Sequence, residues 1–157
     1  IAMADRDPRH AGLFGAAWTI GYAARVAPAG LEMLTLCSFT GPFGVLASSG
    51  EPVEEGAPRP IFHAVKGLCE LAGHAHVAAT TTDETRVLAL AGRSQTGKIS
   101  VWLANLTPDD VPVDVSGLGS DQGPLKIWDE RMSRQIRRDA SGRDRLVMTP
   151  YATVRVG

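Results

Sequence analysis

The apolar residues of this chain change their period near residue 76, and no single kind of element satisfies both patterns. Before that point they recur at spacings of three and four, which gathers them on one face of a helix. After it they alternate, which gathers them on one face of a strand. The sequence therefore divides into two expected domains, residues 1–75 and 76–157.

In the second part, "TRVLALAG", "KISVWLANL", "VPVDVSGL", "PLKIWDE", "RLVMT" and "YATVRVG" are short strand candidates. They are separated by "RSQTGK", "TPDD", "GSDQG" and "DASGRD", each rich in turn formers. The pattern predicts an antiparallel β-sandwich. In "KISVWLANL" both faces are apolar, Ile99, Val101 and Leu103 on one and Trp102, Ala104 and Leu106 on the other, as a central strand requires. In "YATVRV", Ala152, Val154 and Val156 are expected to face inward and Thr153 and Arg155 outward. Val101, Leu103, Ile127 and Val154 are expected to share one core. The arginine-rich stretch "DERMSRQIRRDASGRDR", residues 129–145, carries compensating acids and no aromatic ring, so it is read as a solvated hairpin turning at "DASG". "NLT" at Asn105–Thr107 has the form of a glycosylation sequon, but it ends a strand candidate and is read as a turn.

The first part is organised by helices. Asp7 before Pro8 is a helix start, and the spacing of Leu13, Ala17, Ile20 and Ala24 predicts a helix over residues 8–27. Gly12, Gly15, Ala16, Gly21 and Ala23 let a neighbouring backbone come close, so this helix is expected to be covered on more than one side. "LEMLTLC", residues 31–37, reads as a parallel strand buried on both faces. A loop follows over residues 38–57, rich in Gly and Pro and long for a passive connection. Pro60 then opens a second helix with Ile61, Val65, Leu68 and Ala72 on one face and Gly73 at its end.

Composition excludes several function classes. Among 157 residues, 44% are apolar and the formal charge is −1, without the basic excess that nucleic acid or an anionic lipid surface attracts. No apolar run approaches the ~20 residues of a bilayer span, so neither nucleic acid nor a membrane is an expected partner. Cys37 and Cys69 are read as small core hydrophobes, with a reducing cytoplasm as the expected compartment.

The order helix, parallel strand, helix and sandwich is the order in which many TIM-barrel carbohydrate-active enzymes end. The stretches "GAAWTIGYAARVAPAGLEMLTLCSFTGPFGV", "RPIFHAVKGLCEL", "KISVWLANLTPDDVPVDVSGL" and "MTPYATVRV" resemble the C-terminal half of glycoside-hydrolase-like barrels with an appended sandwich, and among these the D-apionate lactonase family. The resemblance implies a fold that is α/β plus all-β: the last helix-strand-helix of a (β/α)8 barrel followed by an antiparallel β-sandwich. It implies a hydrolase, a sugar-acid lactonase or a glycosidase, with a carbohydrate or sugar-acid substrate and no cofactor. It also implies that the remainder of the barrel, six or seven strands, packs against this chain, because a lone parallel strand leaves unpaired backbone groups on both edges.

Barrel chemistry sits on loops at the C-terminal ends of the strands, here residues 1–9 and 38–57. Asp5 and Arg6 are candidates to hold a sugar hydroxyl or carboxylate, with a surface ion pair as the alternative; Asp7 is better explained as the helix cap. At the strand end "CSFTGPFG", Ser38 and Thr40 are candidate pocket residues, although a strand ending before a Gly-Pro turn accounts for them equally well. Glycoside hydrolysis needs two carboxylates, and lactone opening needs an activated water with an oxyanion donor. "CSFTGPFG" holds no carboxylate, histidine or amine, so the catalytic acid-base groups are assigned to strands outside this chain. Cys69, His74 and His76 lack a zinc spacing and no metal is expected. A different class of function, a non-catalytic carbohydrate-binding or structural sandwich, would be favoured by a concave aromatic-lined face; Trp102 and Trp128 lie on candidate strands, although one or both are expected in the core.

Overall fold

The computed structural model describes residues 7–115, 125–129, 132–136 and 145–157. Asp7 caps a short 3-10 turn, Pro8–Ala11, by accepting from the Arg9 amide at 3.0 Å. The first helix, α1, begins only at Leu13 and runs to Val26, because Gly12 is extended and separates it from that turn. Of its four expected apolar positions, Ala17 and Ile20 are fully buried, while Leu13 and Ala24 are half-buried. Gly15, Ala16, Gly21 and Ala23 are buried as well, so α1 is covered on more than one side.

The second helix, α2, spans Pro60–Glu70 and buries Ile61, Ala64 and Gly67. The face read from the sequence is rotated slightly: Val65 and Leu68 are half-buried and Ala72 is exposed beyond the helix. Between the helices the structure departs from expectation. Leu31–Cys37 carries neither strand nor helix and lies largely exposed, with Leu31 at 53% and Met33 at 84%. The physical reason is pairing: a parallel strand gains its stability from neighbours on each side, and among the described residues no parallel strand lies beside it.

The strands are β1 (Ala75–Val77), β2 (Val87–Arg93), β3 (Ile99–Asn105), β4 (Val111–Asp114), β5 (Leu125–Asp129), β6 (Met132–Ile136), β7 (Arg145–Met148) and β8 (Thr153–Val156). They form a six-stranded sheet in the order β1-β2-β3-β8-β5-β6 and a two-stranded sheet, β4-β7, with every pair antiparallel. β1 was not legible as a strand. β6 pairs with β5, with Asp129 opposite Met132, so the hairpin expected to turn at "DASG" is not formed between β6 and β7. Residues 139–142 themselves lie outside the described residues.

The large sheet is the middle of three layers, which explains why β3 is apolar on both faces. Val101, Leu103, Ile127 and Val154 lie in one core with Val111 and Met148 of the small sheet. On the opposite face Trp102 and Ala104 pack with Leu90 against Ala16, Ala17, Ile20 and Ala64 of the helices. The same layering corrects two expectations for β8. Thr153 is buried and Arg155 half-buried, because the helices cover the face that would otherwise meet water.

Contact between α2 and the sheet is built around Trp102, which is 1% exposed. A Cβ at Gly67 would lie 2.0 Å from the Trp102 ring, so only glycine lets helix and indole meet. Trp128 stacks on Trp102 at 5.1 Å, and His63 of α2 stacks on Trp128 at 5.9 Å. The Arg155 guanidinium lies 5.9 Å over the Trp102 ring and is hydrogen-bonded to the Glu70 carboxylate at the end of α2.

Two outcomes follow from this packing. Gly67→Ala is expected to destabilise the protein by about 1 to 3 kcal/mol through overpacking, and Ile127→Ala by about 2 to 5 kcal/mol through the cavity it leaves; denaturant midpoints at constant slope measure both. The hydrogen bond from Arg155 holds the Glu70 carboxyl below its ordinary value, against a smaller opposing effect of burial. A depressed carboxylate stabilises the fold above its unfolded-state pKa and loses that contribution as pH falls through the folded value. The stability gap between the protein and Glu70→Gln should therefore be present at neutral pH and close below about pH 4.3. It should be small, since the pair is partly solvated, and melting temperatures of both proteins across pH 3 to 7 measure it.

Candidate functional site

The segment joining α1 to α2 is a compact double turn rather than a slack connection. Ser38 and Gly44 form a parallel bridge and Leu46 and Pro58 an antiparallel one. Backbone bonds close the first turn, from the Ser38 amide to the Phe43 carbonyl at 3.1 Å and from the Val45 amide to the Ser38 carbonyl at 3.0 Å. Others close the second, from the Ala47 amide to Ala57 at 2.8 Å and from the Arg59 amide to Val45 at 3.0 Å. Gly41, between the two apolar rings of Phe39 and Phe43 in sequence, sits at φ +90°, a conformation that favours glycine.

Ser38 and Thr40 are both exposed on the first turn. The Ser38 hydroxyl donates to the Thr40 carbonyl at 2.7 Å, so the structure places the two together and gives Ser38 a turn-forming role. Phe39 between them is 70% exposed. Asp5 and Arg6 lie outside the described residues. Asp7 is the cap, and its carboxyl is held below the ordinary range by hydrogen bonds from the Arg9 side chain and amide. The His10 ring meets Phe43 edge-on at 5.6 Å, which joins the start of α1 to the 38–44 turn.

What sequence reasoning missed is the centre of the double turn. Arg59, immediately before α2, is 5% exposed. Its guanidinium donates to the Gly44 carbonyl at 2.7 Å and the Gly41 carbonyl at 3.2 Å, and both its Nε and a terminal nitrogen reach the Glu51 carboxylate. Glu51 also accepts from the Ser48 amide at 3.0 Å, and the Ser48 hydroxyl accepts from the Gly41 amide at 3.1 Å. The only sequence signal was an arginine between prolines in a loop that otherwise has few charges beyond Glu51, Glu54 and Glu55.

The remaining candidates have plainer roles. Cys69 is exposed and Cys37 half-buried, so neither is the core hydrophobe expected. Burial raises the Cys37 thiol, the opposite of what a nucleophile needs. His74 is half-buried and His76 exposed, and among the described residues no three metal-ligating side chains converge. His63 is pushed towards its neutral form by burial, with Lys66 adding to the effect. Trp128 is half-buried and stacks with both Trp102 and His63. An open cleft of about 770 Å³ is lined by apolar residues such as Val77, Val87, Ile99 and Val113 together with Thr80, Asp83 and Arg86, and by no residue of the double turn.

Two family profiles meet on this chain. The TIM barrel domain of D-apionate lactonase matches residues 1–73, and the C-terminal immunoglobulin-like domain of the same enzyme matches residues 84–156. The chain belongs to the D-apionate lactonase family. A D-apionate lactonase of Brucella anthropi is 40% identical over 116 residues, which make up 74% of this chain and 18% of that protein. The fold as a whole is also found in a crystal structure of a conserved exported protein from Bacteroides fragilis, with a TM-score of 0.56 at 11% identity, over 99% of this chain and 36% of that one. The chain thus spans about a fifth of the curated lactonase it matches. In the lactonase family α1 and α2 fall within the barrel domain and β2 to β8 within the immunoglobulin-like domain. The barrel assignment rests on this match and not on residues 31–37, whose exposure by itself would count against it.

Proposed function

We propose that this chain is the C-terminal part of a sugar-acid lactonase, in which it supplies the last strand-to-helix loop of the barrel and the domain that braces it. The observation that carries this is the joint match of both lactonase domains in their order along one chain. In a barrel the double turn at 38–58 stands at the C-terminal end of the eighth strand, the end where barrel enzymes bind substrate.

Lactone hydrolysis adds water to the ring carbonyl, passes through a tetrahedral oxyanion, and expels the ring oxygen, which takes up a proton. That sequence needs a base for the water, a donor for the oxyanion and an acid for the leaving oxygen. The 38–44 turn offers hydroxyls and backbone groups but nothing that titrates usefully. Its part is to bind: Ser38 and Thr40, with Asp5 and Arg6 from the preceding loop, hold hydroxyls or a carboxylate of the sugar acid at the rim of the pocket. The acid-base groups come from barrel strands N-terminal to this chain. Those strands and their helices also cover what is exposed here, the Leu31–Cys37 segment and the stacked Trp18–Tyr22 pair on α1.

The purified 157-residue chain should therefore show no turnover of D-apionate lactone, whereas the longer protein containing it should hydrolyse that lactone. Turnover by the chain alone that disappears in Asp5→Asn would falsify this division of labour. In the longer protein, Ser38→Ala and Thr40→Val should each raise KM by about 2- to 10-fold, the worth of one hydrogen bond, and change kcat less.

A further inference from the structure

We infer that Arg59, with Glu51, is the positioning residue of the substrate-binding turn: its guanidinium fixes the 38–48 backbone and so sets where Ser38, Phe39 and Thr40 stand. The inference rests on the binding role proposed above for Ser38 and Thr40.

A guanidinium removed from water is costly unless each donor finds an acceptor. Here the acceptors come from both turns of the loop, 8 to 18 residues before Arg59 in the chain. The Gly41 and Gly44 carbonyls flank the tip of the first turn, and Glu51 lies in the second. These groups surround Arg59 only when the double turn is closed, so the burial of one charge is tied to one conformation of the loop. Glu51 extends the network to the Ser48 amide, and Ser48 returns it to the Gly41 amide. The backbone of the first turn is thereby held from its carbonyl side at 41 and 44 and from its amide side at 41. Gly44 and Val45, directly behind the tip, are buried, while Phe39 and Thr40 in front of it are exposed.

Arg59 is also well placed mechanically. It directly precedes Pro60, the first residue of α2, and α2 is seated on the large sheet by Gly67 against Trp102. The guanidinium thus ties the binding turn to the start of a helix that is seated on the large sheet. A lysine at this position keeps the charge but replaces a planar fork of five donors by a single ammonium, which cannot serve two carbonyls and a carboxylate in these directions.

The experiment uses the longer protein containing this chain and two readouts, steady-state kinetics on D-apionate lactone and backbone hydrogen exchange of peptides covering residues 39–48. Arg59→Met should raise KM by about tenfold with kcat changed by less than about threefold, and should speed exchange over 39–48 while β3 and β8 stay protected. Arg59→Lys should fall between. Glu51→Gln, which preserves shape and removes the countercharge, should move both readouts in the same direction, and it decides the matter if Arg59→Met does not fold. Unchanged exchange over 39–48, or a fall in kcat at constant KM, would mean that Arg59 only stabilises the fold, and the inference would be overturned. If the unsubstituted protein shows no lactonase turnover, the proposed function fails separately. The positioning claim is then judged by exchange alone, supported by faster exchange in the variants and overturned by its absence.

Discussion

The contact on which the rest of the structure depends is the indole of Trp102 lying against the backbone of α2 at Gly67. It requires three things at once: a large ring on the helix-facing side of a central strand, a residue without a side chain on the helix, and a helix held close enough to use both. β3 meets the first because it is hydrogen-bonded on each side, to β2 and β8, and buried on each face. Once α2 is seated there, its first turn is fixed over the sheet. Everything attached to that turn, Arg59 above all, inherits the position.

The aromatic stack extends this seat. Trp128 adds a second indole over Trp102 and His63 closes the column from the helix side, while Arg155 and Glu70 tie the far end of α2 to β8. The Trp102 and Trp128 rings are here engaged in contact between the sheet and α2. Buried apolar rings contribute most of such an interface and the peripheral ion pair contributes little, so the sandwich sheet gives α2 an apolar seat.

Legibility in the sequence followed the same physics. Alternation revealed β2, β3, β5 and β8 because their side chains must choose between two faces, and the doubly apolar face of β3 announced its central place. Three-residue β1 was too short to show a period, and β6 carries polar residues that alternation does not distinguish from a loop. Thr153 and Arg155 were read as outward because polarity marks solvent only when nothing else covers the face, and here the helices do. Residues 31–37 have the composition of a buried strand, but a strand is a property of its neighbours, and among the described residues no parallel strand lies beside them. Ser38 and Thr40, which stand exposed on the first turn, were singled out as candidates from their place before a Gly-Pro turn. Arg59 was not, because nothing local distinguishes an arginine that will be buried from one that will be solvated.

That last difference shows how the site is built. Hydroxyls at the tip of the turn are inexpensive to expose and to reorient, so they can meet a ligand but cannot hold themselves in place. Arg59 has the opposite character: its charge is tolerable inside the protein only while Gly41, Gly44 and Glu51 surround it, and any opening of the turn strands that charge or exposes it. Such an arrangement adds little net stability, since desolvation offsets much of the attraction. What it supplies is uniqueness of conformation, which the binding role proposed for the 38–44 turn needs more than it needs stability.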